Sequence, residues 1–194
     1  VTKREYSNTQ KDTYLKETHN FVNGICIGCG IYELIKPDLE DGYYQIENAN
    51  HLYWFAHQVN NGDTNINAIL TADIVVNKNV LNKDGTLNSS STLVEWTPVG
   101  NNSNKYAGTF DGQNHTISGL YFNENIDYVG LFGYNSGAIK NVGIIDSYFK
   151  GKNNVGGVCG YNYSGTIKNS YNTSSVSGSL GVGGVCGRNS NEGT

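Results

Sequence analysis

Chemistry in this sequence would have to start from four cysteines, four histidines and a thin set of carboxylates. Cys26-Ile27-Gly28-Cys29 places two thiols at the spacing of half a zinc knuckle, and His19 offers a third ligand. A complete site needs a fourth donor from His51, His57, an acidic residue or a neighbouring molecule. Zinc closed in this way would be structural, because a catalytic ion keeps one coordination position open. A local disulfide and free thiols are the other two readings of the pair. A redox role lacks support, since no βαβ pattern surrounds the motif. The second pair, Cys159 and Cys186, falls at matching positions of two glycine-rich segments. If those segments stack, the two Cα atoms lie about 5 Å apart, close enough for a disulfide; free thiols acting as small apolar residues are the alternative.

Catalytic patterns are missing. The sequence has no HExxH, GxSxG, P-loop or dinucleotide fingerprint. His51 and His57 fall on different sides of a helix, and His115 reads as a turn residue. A carbohydrate-cleaving enzyme needs carboxylates converging on one face. The candidates are Asp111, Asp127 and Asp146; Asp111 is accounted for by its Asp-Gly turn. Arginine occurs only at Arg4 and Arg188. Binding is the better expectation. Of 14 tyrosines, Tyr121, Tyr128, Tyr134, Tyr148, Tyr161, Tyr163 and Tyr171 lie in the second half. Tyr134 and Tyr161 recur at equivalent positions, with Tyr163 beside them, and would form an aromatic stripe suited to sugar or protein contacts. Packing of these rings along the stack is the competing reading.

The elements that would position these residues come from an internal repeat. Val129-Gly130-Leu131-Phe132-Gly133 recurs as Val155-Gly156-Gly157-Val158-Cys159-Gly160 and Val182-Gly183-Gly184-Val185-Cys186-Gly187, at offsets of 26 and 27 residues. A polar turn and a second match, Ala138-Ile139-Lys140-Asn141 against Thr166-Ile167-Lys168-Asn169, follow the first two. A looser unit begins at Tyr106. Such a period is too short for two helices and a turn, and suits one coil of a β-solenoid. Each coil would bury its apolar face on a neighbour about 4.8 Å away. Glycines would mark corners or close backbone approaches. Upstream, apolar residues at 49, 52, 53, 55, 56 and 59 form a helical stripe that would cover the end of the stack. Residues 44–46 and 68–76 read as strands, and 77–95 as a polar excursion.

Net charge is −4 and no basic block appears, so nucleic-acid binding is not expected. No run of eighteen apolar residues suggests membrane insertion. With 25 glycines and 2 prolines, the chain is built for tight turns. It lacks Met and any apolar leader, and stops within a repeat, which reads as a piece of a longer protein.

The tetrads Gly130-Leu131-Phe132-Gly133, Gly157-Val158-Cys159-Gly160 and Gly184-Val185-Cys186-Gly187 resemble the GLUG-motif repeat. So do Trp96-Thr97-Pro98-Val99-Gly100 and Gly108-Thr109-Phe110-Asp111-Gly112 ahead of them. The resemblance implies a mainly β fold: a right-handed parallel β-helix (solenoid) with an N-terminal capping helix and a small Cys-containing appendage. The expected division is 1–41 for the segment with the CxxC knuckle, 42–100 for the capping helix and first strands, and 101–194 for the repeat coils. It also implies a bacterial protein, secreted or attached to the cell wall, as in adhesin-like proteins and the non-catalytic parts of IgA-specific metallopeptidases. The expected role is non-catalytic adhesion, with a host glycan or glycoprotein and other domains of the parent chain as partners. A rigid spacer beside a secreted enzyme is the alternative. No cofactor is required, apart from the structural zinc considered above.

Overall fold

A computed structural model describes residues 21–22, 24–26 and 30–190 of the chain. Its strands are two to five residues long, because turn residues interrupt every apolar run before it can lengthen. Each strand finds its partner one coil away and in register. Ile139 lies between Phe110 and Ile167, Ile144 between Ile117 and Asn172, and Phe149 between Phe122 and Val176. Phe132 pairs with Cys159, and Cys159 with Cys186. All these pairings are parallel, so the chain winds as a β-solenoid of about five turns. The inner positions Phe110, Ile117, Phe132, Ile139, Ile144 and Phe149 are fully buried.

The longest sheet runs through Thr166–Lys168, Ala138–Lys140, Thr109–Asp111, Asn67–Leu70 and Tyr43–Ile46. It therefore crosses the expected division at residue 100 without a break. An antiparallel hairpin, Leu39–Glu40 with Tyr43–Ile46, ends this sheet. Its two-residue turn, Asp41-Gly42, has positive φ at both positions, the geometry in which Asp-Gly matches the strand twist. The expected strand over 68–76 is two strands, Asn67–Leu70 and Ile74–Val75. The intervening corner is held by Asp73, whose carboxylate accepts from the Thr116 N–H at 2.7 Å.

Helix α1, Ala49–Asn60, links the first two parallel strands. Asn48 caps it by accepting from the His51 N–H at 3.0 Å. Its apolar stripe, Leu52, Phe55, Ala56 and Val59, is buried. Phe55 meets Tyr106 and Phe110 at ring-centroid distances of 5.7 Å, so the helix seals the end of the stack. Without that cover, the first coil's apolar interior would face water at a cost of about 1.5–3 kcal/mol per large side chain. Among the described residues, no helix is long and apolar enough to cross a membrane.

The last glycine of each tetrad has a packing cause. A Cβ on Gly133 would sit 2.6 Å from the Gly100 carbonyl oxygen, one on Gly160 2.5 Å from Val129 N, and one on Gly187 2.5 Å from Val155 N. None has positive φ, so close backbone approach, not a special turn, excludes a side chain here. Two residues on, Asn135, Asn162 and Asn189 form a ladder. Asn135 Nδ2 donates to Asn162 Oδ1 at 2.7 Å, and Asn162 Nδ2 to Asn189 Oδ1 at 2.8 Å. Each step satisfies a polar group that the stack would otherwise bury unpaired.

Candidate functional site

The strands Phe132–Asn135, Cys159–Tyr163 and Cys186–Ser190 lie side by side. Their register aligns Tyr134 with Tyr161 and Tyr161 with Arg188. One coil earlier, Tyr106 bridges Asn135, which brings Lys105 level with Tyr134. Four coils thus present a column of Lys105, Tyr134, Tyr161 and Arg188. The Lys105 Nζ stands 5.2 Å from the Tyr134 ring centroid, and the Arg188 guanidinium 5.2 Å from that of Tyr161.

Two further rings widen the column. Tyr163 lies 6.1 Å from Tyr134 and 5.9 Å from Tyr161, and Lys105 also reaches it at 5.9 Å. Tyr128 stacks on Tyr161 at 5.9 Å with a 17° interplanar angle. Tyr128 has φ of 66°, a conformation that bulky residues adopt only when their surroundings hold them there. Exposure divides the tyrosines. Tyr134 is only 6% exposed, whereas Tyr128, Tyr161 and Tyr163 are half-buried. Tyr134 is therefore the floor of the cluster and not part of an exposed stripe. Burial, and then the neighbouring Tyr161, Tyr128 and Tyr163, push its hydroxyl above the ordinary range, while Arg188 acts the other way. The arrangement offers flat apolar area, hydroxyls and two cations, which suits a ligand with an apolar face and polar edges.

Residues 151–177 match the family model described as the GLUG motif. This stretch is similar to the GLUG motif. It spans the strands Asn153–Gly156, Cys159–Tyr163, Thr166–Lys168, Tyr171–Asn172 and Ser175–Ser177, one coil and the site's central tyrosines. GLUG is a repeat motif and not a catalytic family. No curated protein matches the chain. Among solved structures, it is similar to a "putative immunoglobulin A1 protease" from Bacteroides ovatus, with 17% identity and a TM-score of 0.47. The match covers 81% of this chain and 65% of that one, so the chain spans less than two thirds of its neighbour's length.

Within the matched coil and its successor, Cys159 and Cys186 are register partners, and both are free thiols. They differ in setting. Cys159 is fully buried, and desolvation pushes its thiol well above the ordinary range. A hydrogen bond from Cys159 brings the partly exposed Cys186 down to about 7. His19 and Cys29 lie outside the described residues. Cys26 is buried in the hairpin Phe21–Val22 with Ile25–Cys26, which Asn50 of helix α1 ties down by donating to the Gly24 carbonyl at 2.8 Å. His51 is buried on the same helix, with Nδ1 lacking a hydrogen-bond partner. Among the described residues, no three His, Cys, Asp or Glu side chains gather where a metal could sit.

The three candidate aspartates hold structure. Asp111 is buried and ion-paired with Lys140 at 3.0 Å. Burial opposes its ionisation, but donors from Gln113, Asn141 and Lys140 outweigh it and hold the carboxyl low. Asp127 accepts from Asn153 Nδ2 at 3.0 Å, and Asp146 from the Leu81 N–H at 3.1 Å. The carboxylate that does feel a second one is Glu95, beside Glu124, residues the sequence reading missed. Burial and then the Glu124 charge raise Glu95. They edge a groove of about 980 Å³ lined by Tyr32, Tyr53, Trp96 and Phe122. The groove's polar ring atoms are already used: Tyr53 donates to the Glu95 carbonyl at 2.9 Å, and Trp96 Nε1 to the Gly130 carbonyl at 3.1 Å.

Proposed function

We propose that this chain is a non-catalytic binding module of a larger extracellular bacterial protein, and that the tyrosine column is where it holds carbohydrate on a glycan or glycoprotein. The observation that carries the reading is the column itself: four tyrosines in mutual contact on one lateral face, three of them half-buried, set by coil register. Sugars offer C–H faces that lie on tyrosine rings and hydroxyls that meet Tyr, Asn and Ser. Binding through a repeat surface requires no reacting group, in keeping with a repeat motif and with aspartates committed to hydrogen bonds. Adhesion is then the biological use, with host glycans or glycoproteins as partners.

A second reading, a rigid spacer beside a secreted peptidase or another enzyme, is favoured by the asparagine ladder, which ties three successive coils together. One plate separates the readings. The purified chain is placed on immobilised glycans, mucin and immunoglobulin, and both retention and product release are measured. The module reading expects retention without products, lost in Tyr161→Ala plus Tyr163→Ala. No retention on any surface leaves the spacer. Products that disappear in Glu95→Gln or Glu124→Gln would make the groove a catalytic site and overturn both.

A further inference from the structure

One coil to each side of its two tyrosine steps the column carries a cation, set there by register. Lys105 and Arg188 occupy the same coil position as Tyr134 and Tyr161, one coil before and one coil after them. Two aromatic steps are thus bracketed by two positive charges along the stack direction. Among the described residues neither cation pairs with a carboxylate; the ion pairs there are His115 with Asp73 and Lys140 with Asp111. Asp127, next to Tyr128 in sequence, is occupied by Asn153 Nδ2 at 3.0 Å. The charged group that acts on the central Tyr134 hydroxyl is Arg188. In a chain of net charge −4, two unpaired cations beside one aromatic face are a local reversal of sign.

Resting on the carbohydrate reading above, we infer that the column takes an acidic sugar, whose carboxylate or sulfate groups meet Lys105 and Arg188 while its apolar ring face lies on Tyr161 and Tyr163. A guanidinium offers a carboxylate or sulfate two parallel N–H donors, and the lysine adds a point charge at the other end. Neither cation has to leave its ring, since each can bind an anion at its outer edge. A strand of alternating acidic residues engages both ends at once, which a neutral sugar cannot do.

The test is calorimetric titration of the purified chain with four probes: a galacturonate oligosaccharide, a heparin-derived oligosaccharide, neutral lactose oligomers, and polyglutamate as a polyanion without sugar. The expected result is binding of an acidic oligosaccharide, with affinity lowered roughly tenfold by Lys105→Gln and again by Arg188→Gln, and restored by Lys105→Arg. Raising salt severalfold weakens it, because both cations are open to solvent and are screened. The galacturonate and heparin arms tell carboxylate from sulfate. Equal binding of neutral and acidic sugars, untouched by the charge variants, overturns the inference and leaves the carbohydrate reading intact. Equal binding of polyglutamate overturns it as general polyanion attraction. Binding of no sugar at all removes the carbohydrate reading beneath it. Matched thermal unfolding of each variant excludes misfolding as the cause.

Discussion

Two aromatic clusters of similar size meet at the strand Phe132–Asn135, which gives Phe132 to one and Tyr134 to the other. Inside, Phe55, Tyr106, Phe110 and Phe132 meet at centroid distances of 5.0 to 5.7 Å, and all four are fully buried. Outside, Tyr128, Tyr134, Tyr161 and Tyr163 meet at 4.8 to 6.1 Å, with only Tyr134 buried. Ring geometry does not separate them. What lies beyond the rings does: helix α1 over the inner set, water and two cations beside the outer one. The inner rings draw their free energy from water exclusion, and the outer rings keep a surface to offer.

That contrast predicts a graded series. Phe110→Ala should cost about 3–5 kcal/mol in denaturant unfolding, because it opens a cavity beneath the helix. A loss under about 1 kcal/mol would mean that the cap does not bear on the stack. Asn162→Ala breaks two ladder bonds and should cost about 1–3 kcal/mol, since the buried Asn135 amide loses its acceptor. Gly160→Ala should cost a similar amount by forcing the Tyr128–Val129 backbone away, and should also disturb the outer cluster. Tyr163→Ala, in contrast, should change stability by no more than about 1 kcal/mol while removing glycan retention. If it destabilises as Phe110→Ala does, the outer rings are core as well.

The thiols extend the comparison to pH. Cys186 has a depressed thiol, so its thiolate, the reactive form, grows as pH rises through about 7. Alkylation by iodoacetamide should reach half its maximal rate near that pH and plateau above it. Cys159, raised by burial, should stay unmodified throughout. An alkylation midpoint in the ordinary thiol range would break the inner–outer distinction at this pair.

Much of the fold was legible because stacking copies a pattern from coil to coil. The tetrads gave the period, and the stripe in 49–59 gave helix α1. Lys105 was not legible, because the coil before the first clear tetrad is stretched. Six residues separate Val99 from Tyr106, where two separate their bridge partners Phe132 and Asn135. The extra turn is held by Asn101, which accepts from the Ser103 and Asn104 N–H groups, and by Asn60, which accepts from the Gly100 N–H at 2.8 Å. Those contacts are long-range or internal to the turn, and leave no periodic trace. Tyr134 was legible as a repeat position but not as a buried one, since burial there comes from Tyr161, Tyr163 and Lys105 arriving from other coils and from Tyr128 in the turn before it. Glu95 and Glu124 sit in two separate loops, and only folding brings their charges together.

The most direct test of the central claim is to watch the tyrosine rings while sugar is added. With ring-labelled tyrosine and assigned spectra, titration of an acidic oligosaccharide should shift the Tyr128, Tyr161 and Tyr163 resonances together along one saturating curve. Tyr171 and Tyr44, away from the column, should stay still. Saturable binding that moves other rings and leaves these three unchanged would contradict the account.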